Sequence, residues 1–181
     1  MDYRIRSAVA ADAPMLPEIE RSAGVIFGSV AGLEWIAHDA VSSLSSLLEM
    51  IADGTTWVAE DADANLVGYL GAEPVADALH IWEVAVHTDH QRRGIGARLM
   101  AAAEAAAPAV GCTSLTLTTF RGVAWNEPYY VNLGYTVIDG DRRGMWLSSV
   151  LADEGARGLP VERRCAMRKV ILPLALPVID R

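Results

Sequence analysis

Apolar positions along this chain recur at two spacings, every second residue or every third and fourth, and the alternation between them predicts the elements. Residues 3–8 alternate weakly and predict an opening strand. Asp12, Ala13 and Pro14 then start a helix in which Met15, Leu16, Ile19 and Ala23 share one face. Residues 26–34, with glycines at 28 and 32, read as loop or frayed helix. Residues 38–52 predict a second helix, with Leu44, Leu47, Leu48 and Ile51 at helical spacing and Gly54 ending it. Residues 55–61 and 66–72 form strands of a hairpin about the turn at 61–65, and residues 78–87 are the next strand. An alanine-rich helix over 96–107 stops at Pro108. A strand follows over 113–120. Asn126 as N-cap, Pro128 in the first turn and Gly134 as stop delimit a short helix over 126–133. Residues 135–139 and the alternating stretch 161–171 supply the last two strands. The order β-α-α-β-β-β-α-β-α-β-β is of the α/β (α+β) class. It contains no internal repeat and no linker.

With 181 residues and 52% apolar side chains, the chain suits one domain with a single core, spanning residues 1–181. No run is long enough to cross a membrane. The nearest, residues 170–179, is ten residues with two prolines. The first six residues hold no signal-peptide core. Cys112 and Cys165 form no disulfide framework and have no metal-ligand spacing, so a reducing, cytoplasmic location without a metal is expected. Residues 1–90 carry fifteen Asp and Glu against Arg4, Arg6 and Arg21. The remainder carries eight acidic and twelve basic side chains. Nucleic acid is therefore not an expected partner. The acidic half can attract a cationic acceptor or simply keep the surface solvated.

The strand at 78–87 runs into His87, Thr88, Asp89, His90, Gln91, Arg92, Arg93, Gly94, Ile95 and Gly96, and then into a helix. A basic, glycine-bearing loop at a helix N-terminus presents bare N–H groups and the positive end of a dipole, a pocket for a phosphate or pyrophosphate. A dinucleotide fingerprint would need a third small residue where Leu99 stands. A P-loop would need Gly-Lys-Ser/Thr, and Lys169 is the only lysine.

Gln91, Gly94 and Gly96 fit the pattern Gln/Arg-x-x-Gly-x-Gly/Ala, which resembles the pyrophosphate loop of the GNAT superfamily of acyl-CoA N-acyltransferases. Asn126, Tyr130, Gly134 and Tyr135 fit that superfamily's Asn-x-x-x-Tyr-x-x-x-Gly-Phe/Tyr at the expected distance downstream. The two motifs span about a third of the chain. The resemblance implies the GNAT acyltransferase fold, a mixed central sheet of about six or seven strands with helices on both faces. It implies acetyl-CoA as donor and an amine as acceptor. A small-molecule amine is expected, with a protein or peptide acceptor, or a silent acyl-CoA sensor, as alternatives. A homodimer is compatible with this reading.

Under this resemblance, residues 91–97 (Gln91, Arg92, Arg93, Gly94, Ile95, Gly96 and Ala97) hold the pyrophosphate. The backbone of Val84, Ala85 and Val86 pairs with the pantetheine amides. Asn126 reaches the pantetheine or is a plain cap. Tyr130 is the candidate acid for the departing thiolate, since a phenol titrates near ~10; Tyr129 beside it reads as packing. His80 and Glu83 are the candidate bases. The stretch from His80 resembles the corresponding strand of arylalkylamine N-acetyltransferases, where histidines take part in a water-linked proton path; His80 matches one such position, Trp82 occupies the other, and the sequence does not choose between His80 and Glu83. Glu83 is a carboxylate in an apolar strand and needs a partner there. Strict alternation sets the two on opposite faces, and a bulge would reunite them. Glu20, Trp35 and His38 are candidates for acceptor binding, and Trp125 for a wall of the site.

Overall fold

The computed structural model describes residues 2–171. Seven strands form one sheet in the order β1-β2-β3-β4-β5-β7-β6. They are β1 (Arg4–Ser7), β2 (Thr56–Glu60), β3 (Leu66–Val75), β4 (Ala78–Val86), β5 (Ser114–Phe120), β6 (Thr136–Ile138) and β7 (Arg164–Val170). All neighbours are antiparallel except β4 and β5, whose crossover is α3 (Ile95–Ala106). The apolar stretch at 170–179 lies, beyond Ile171, outside the described residues. Among the described residues no helix is long and apolar enough to cross a membrane.

Helices cover both faces because each strand sends alternate apolar side chains to opposite sides. On one face Ile95, Leu99, Met100 and Ala103, the buried stripe of α3, pack on Leu70, Ala72, Leu79 and Ile81. Tyr130, from α4 (Glu127–Asn132), and Leu133, its C-cap, join that cluster. On the other face Leu16 and Ile19 of α1 (Leu16–Gly24) and Leu47 of α2 (Leu44–Ala52) pack on Val58, Tyr69 and Ala85.

Two helical expectations change. Residues 38–52 are not one helix: α2 begins at Leu44, where the Ser43 hydroxyl caps the Ser46 N–H at 3.2 Å, and Glu34–His38 is a separate 3-10 turn. A good N-cap in mid-segment outcompetes continued helix. The sequence reading also lacks α5 (Gly144–Ala156), which packs Leu147 and Leu151 on Ile138 and Ala166. Its inward stripe is Leu147, Val150, Leu151 and Glu154, and the carboxylate in the last position hides the period.

Candidate active site

β4 and β5 are paired from Ala78–Ile81 against Ser114–Leu117 and then diverge. A bulge opens the gap. Gly71 faces Glu83 and Ala72 faces Ile81, so Trp82 is the extra residue in β4. It also reverses the side-chain parity. Ile81 and Val84 both pack toward α3, and His80 and Glu83 both turn to the opposite face. The 3-10 turns within 25–38 cap the open end, with Phe27 on Phe120 and Trp125 at ring-centroid distances of 5.6 and 6.1 Å.

Two clefts flank the gap. The first, about 460 Å³, runs from α1 along β4 to the basic loop and α4. The second, about 340 Å³, lies among β4, β5, β7 and the end of α5. Both are lined by Phe27, Ile36, Asp39, Glu83, Val84 and Tyr130, which therefore mark their junction.

Glu83 is half-buried by surface yet enclosed by protein atoms. Burial, and next the nearby Glu20 carboxylate, push its carboxyl up to about 8; the Val84 N–H and the more distant Arg164 charge pull the other way. Glu20 is itself held in place: it accepts from the Tyr69 hydroxyl at 2.5 Å and from the Ser42 N–H at 3.1 Å. Burial also raises the Tyr130 phenol well above its usual range, helped by Glu83, so it stays protonated.

His80 is elsewhere. It is fully buried between the rings of Trp82 and Trp146, at 4.5 and 4.7 Å, and lines neither cleft. Its Nδ1 meets Thr116 Oγ1 at 3.0 Å and its Nε2 has no partner among the described residues. Burial pushes it down to about 4, so it is neutral.

The loop residues Gln91, Arg92, Gly94, Ile95, Gly96 and Ala97 line the first cleft, as do Val84 and Val86. Arg92 has φ +58° and Gly94 φ +77°, two left-handed residues that turn the chain into the N-terminus of α3. Gly96 leaves room for Tyr129, whose hydroxyl would be 2.9 Å from any Cβ there. By alternation from the His87 N–H, which donates to Val67, the Val86 peptide faces the gap, and Gln91 Nε2 donates to the Val86 carbonyl at 3.0 Å. Three expected residues are not on the first cleft. Ala85 packs its side chain under α1, and Arg93 donates to the Tyr3 hydroxyl at 3.0 Å. Asn126 stands at the N-cap position of α4 without capping it. Its Nδ2 donates to Thr119 Oγ1 at 2.9 Å, while its buried Oδ1, like Trp125 Nε1 beside it, has no partner among the described residues. Trp35 and His38 line neither cleft.

Sequence reasoning missed the far wall of the second cleft. Arg164 donates from Nε and Nη2 to the buried Glu154 at 2.8 and 2.7 Å, and Thr118 donates to Glu154 at 2.5 Å. The Arg164 guanidinium also lies 4.4 Å over the Phe120 ring. Nothing in the spacing of Thr118, Glu154 and Arg164 announces that they meet. The only available signal was a carboxylate in an otherwise apolar helical stripe. Among the described residues no group of three or more His, Cys, Asp or Glu side chains gathers as a metal site.

Residues 30–135 match the sequence model of the family described as acetyltransferase (GNAT) family. The fold is similar to that of PaiA N-acetyltransferase from Thermoplasma acidophilum in complex with coenzyme A, with TM-score 0.70 and 20% identity over 94% of this chain and 99% of that one. It is similar to a ribosomal-protein-alanine N-acetyltransferase from Escherichia coli, with TM-score 0.65 and 17% identity over 99% and 100%. It also resembles N-acetylglutamate synthase from Neisseria gonorrhoeae complexed with coenzyme A and N-acetyl-glutamate, with TM-score 0.69 and 18% identity over 95% of this chain but 36% of that one.

Proposed function

From membership of the acetyltransferase (GNAT) family, to which this chain belongs, we propose that this acetyl-CoA-dependent N-acetyltransferase acts, as one domain, on a small-molecule primary amine. The observation that carries this reading is the meeting of two clefts at Glu83 and Tyr130, where β4 and β5 part. One cleft ends on a basic loop and the other does not, so donor and acceptor have separate entrances. The second cleft has a volume of about 340 Å³, suited to a small molecule more than to an extended peptide.

Several features of the first cleft fit an acyl-CoA. The N–H groups after Gly94 open a helix of 12 residues and suit a pyrophosphate. The β4 edge beyond Ile81 is unpaired with β5 and suits the amides of a pantetheine arm. Trp125, which lines this cleft, has a buried Nε1 donor without a partner among the described residues. When bound, acetyl-CoA supplies the acetyl thioester.

In this reading Glu83 takes the proton from the acceptor ammonium. A carboxyl at about 8 is a far better match to an ammonium at ~10 than an ordinary carboxylate is. The amine nitrogen then attacks the thioester carbonyl, whose oxygen is met by the Val86 N–H. Tyr130 holds its proton for the departing sulfur. Tyr130 regains a proton from the nitrogen as the C–S bond breaks, so amide and thiol are formed and one net proton leaves through Glu83. His80 is assigned no proton transfer, because it lines neither cleft and burial makes it a weak base. Cys112 and Cys165 are buried free thiols, in keeping with a reducing, cytoplasmic site of action. Thiol release from acetyl-CoA over a panel of small amines and N-terminal peptides tests the proposal. Turnover with small amines is expected; turnover with peptides alone would overturn the acceptor class.

A further inference from the structure

Charge is unevenly distributed along the second cleft. Asp39 and Glu83 line both clefts and so stand at their junction. Arg157 and Arg164 line the second cleft alone; Arg164 acts by charge on Glu83, and exposed Arg157 marks the outer end. The two arginines are not equivalent. Arg164 is neutralised by the buried Glu154. Arg157 is exposed at the C-cap of α5 and makes no ion pair among the described residues; its Nε reaches only the Asp153 carbonyl, at 3.4 Å. Between the two ends the wall carries the rings of Phe27, Trp82 and Phe120, with Thr118 among them.

We infer that the acceptor is an amphipathic zwitterion: a primary amine and a carboxylate at opposite ends of an apolar, ring-sized body, with Arg157 selecting the carboxylate. The inference rests on the second cleft being the acceptor site. At the junction the ammonium meets Glu83 and Asp39. At the remote end a carboxylate meets a guanidinium fork whose donors suit it and which no other side chain neutralises. A second ammonium placed there is repelled. A neutral end is tolerated, because exposed Arg157 stays hydrated without a partner. Arg157 is thus a specificity-determining residue, worth a modest factor rather than an absolute requirement.

Three probes of matched size test this: 4-(aminomethyl)benzoate, benzylamine and 1,4-bis(aminomethyl)benzene. With the parent protein, kcat/KM is expected to fall in that order, by roughly three- to tenfold per step. The steps shrink as salt is added, since the Arg157 contact is screened. In Arg157→Gln the carboxylate-to-neutral ratio falls to near one. The same change at Arg142, which lines neither cleft, leaves the ratio in place. Equal kcat/KM for the three probes, preference for the diamine, or a ratio unmoved in Arg157→Gln overturns the inference. If none of the three releases thiol, calorimetry of the same probes on the protein with CoA decides it, and lack of preference for the carboxylate overturns it. Turnover of other amines in that case leaves the acetyltransferase reading standing; no turnover with any amine or peptide sinks that reading instead.

Discussion

Replacing Glu83 by Gln is expected to stabilise the protein and to disable it, and the two effects share one cause. In the folded chain the carboxyl is held up to about 8, against an ordinary 4.5. Between those values the folded chain keeps a proton that the unfolded chain has released. Stability therefore falls as pH rises through that window, and the full penalty is present above it. Complete conversion of that displacement would amount to about 5 kcal/mol. Water reaching the half-buried carboxylate through the clefts reduces this to on the order of 1–2 kcal/mol, or roughly 2–8 °C in Tm for a domain of this size. Glu83→Gln removes the ionisation and keeps the shape. Its Tm should exceed that of the parent at pH 9 by that amount and match it at pH 5, as read by calorimetry. Meanwhile kcat should fall roughly 100-fold or more, and the rate should lose its rise toward an apparent pKa near 8. His80→Gln is the control: it should leave that limb in place, because His80 lines neither cleft. A Tm difference independent of pH, or an acid limb that survives Glu83→Gln and vanishes in His80→Gln, would refute the reasoning.

Tyr130→Phe should lower kcat by roughly 10- to 1000-fold and spare KM for acetyl-CoA, because it removes only a proton donor; unchanged steady-state kinetics would make Tyr130 a packing residue. Gly96→Val should weaken acetyl-CoA binding by about tenfold or more in calorimetry, since its Cβ would stand 2.9 Å from the Tyr129 hydroxyl, which lines the first cleft beside the basic loop. Glu154→Leu should cost about 3–5 kcal/mol in denaturant unfolding by leaving Arg164 buried and uncompensated, and adding Arg164→Met should restore much of the loss.

The chain's own order of residues determined the basic-loop end of the first cleft. The basic loop from Gln91 to Ala97, the flanking strand and helix, and the short helix carrying Tyr130 are local features, set by glycine, proline and capping chemistry within a few residues. Among the described residues the period of apolar side chains likewise determined the seven strands and four of the five α-helices, though not where α2 begins. α5 escaped because its inward stripe ends in Glu154, whose burial makes sense only once Arg164 and Thr118 arrive from β7 and β5. The choice between His80 and Glu83 also lay beyond the sequence. Both are polar residues in one apolar strand, and their faces depend on whether that strand bulges. The bulge at Trp82 is decided by the register against β3, a pairing between distant segments, and it alone puts both side chains on one face. Only the packing of α1 and α5 then separates them, setting Glu83 beside Glu20 at the junction of the clefts and closing His80 between Trp82 and Trp146.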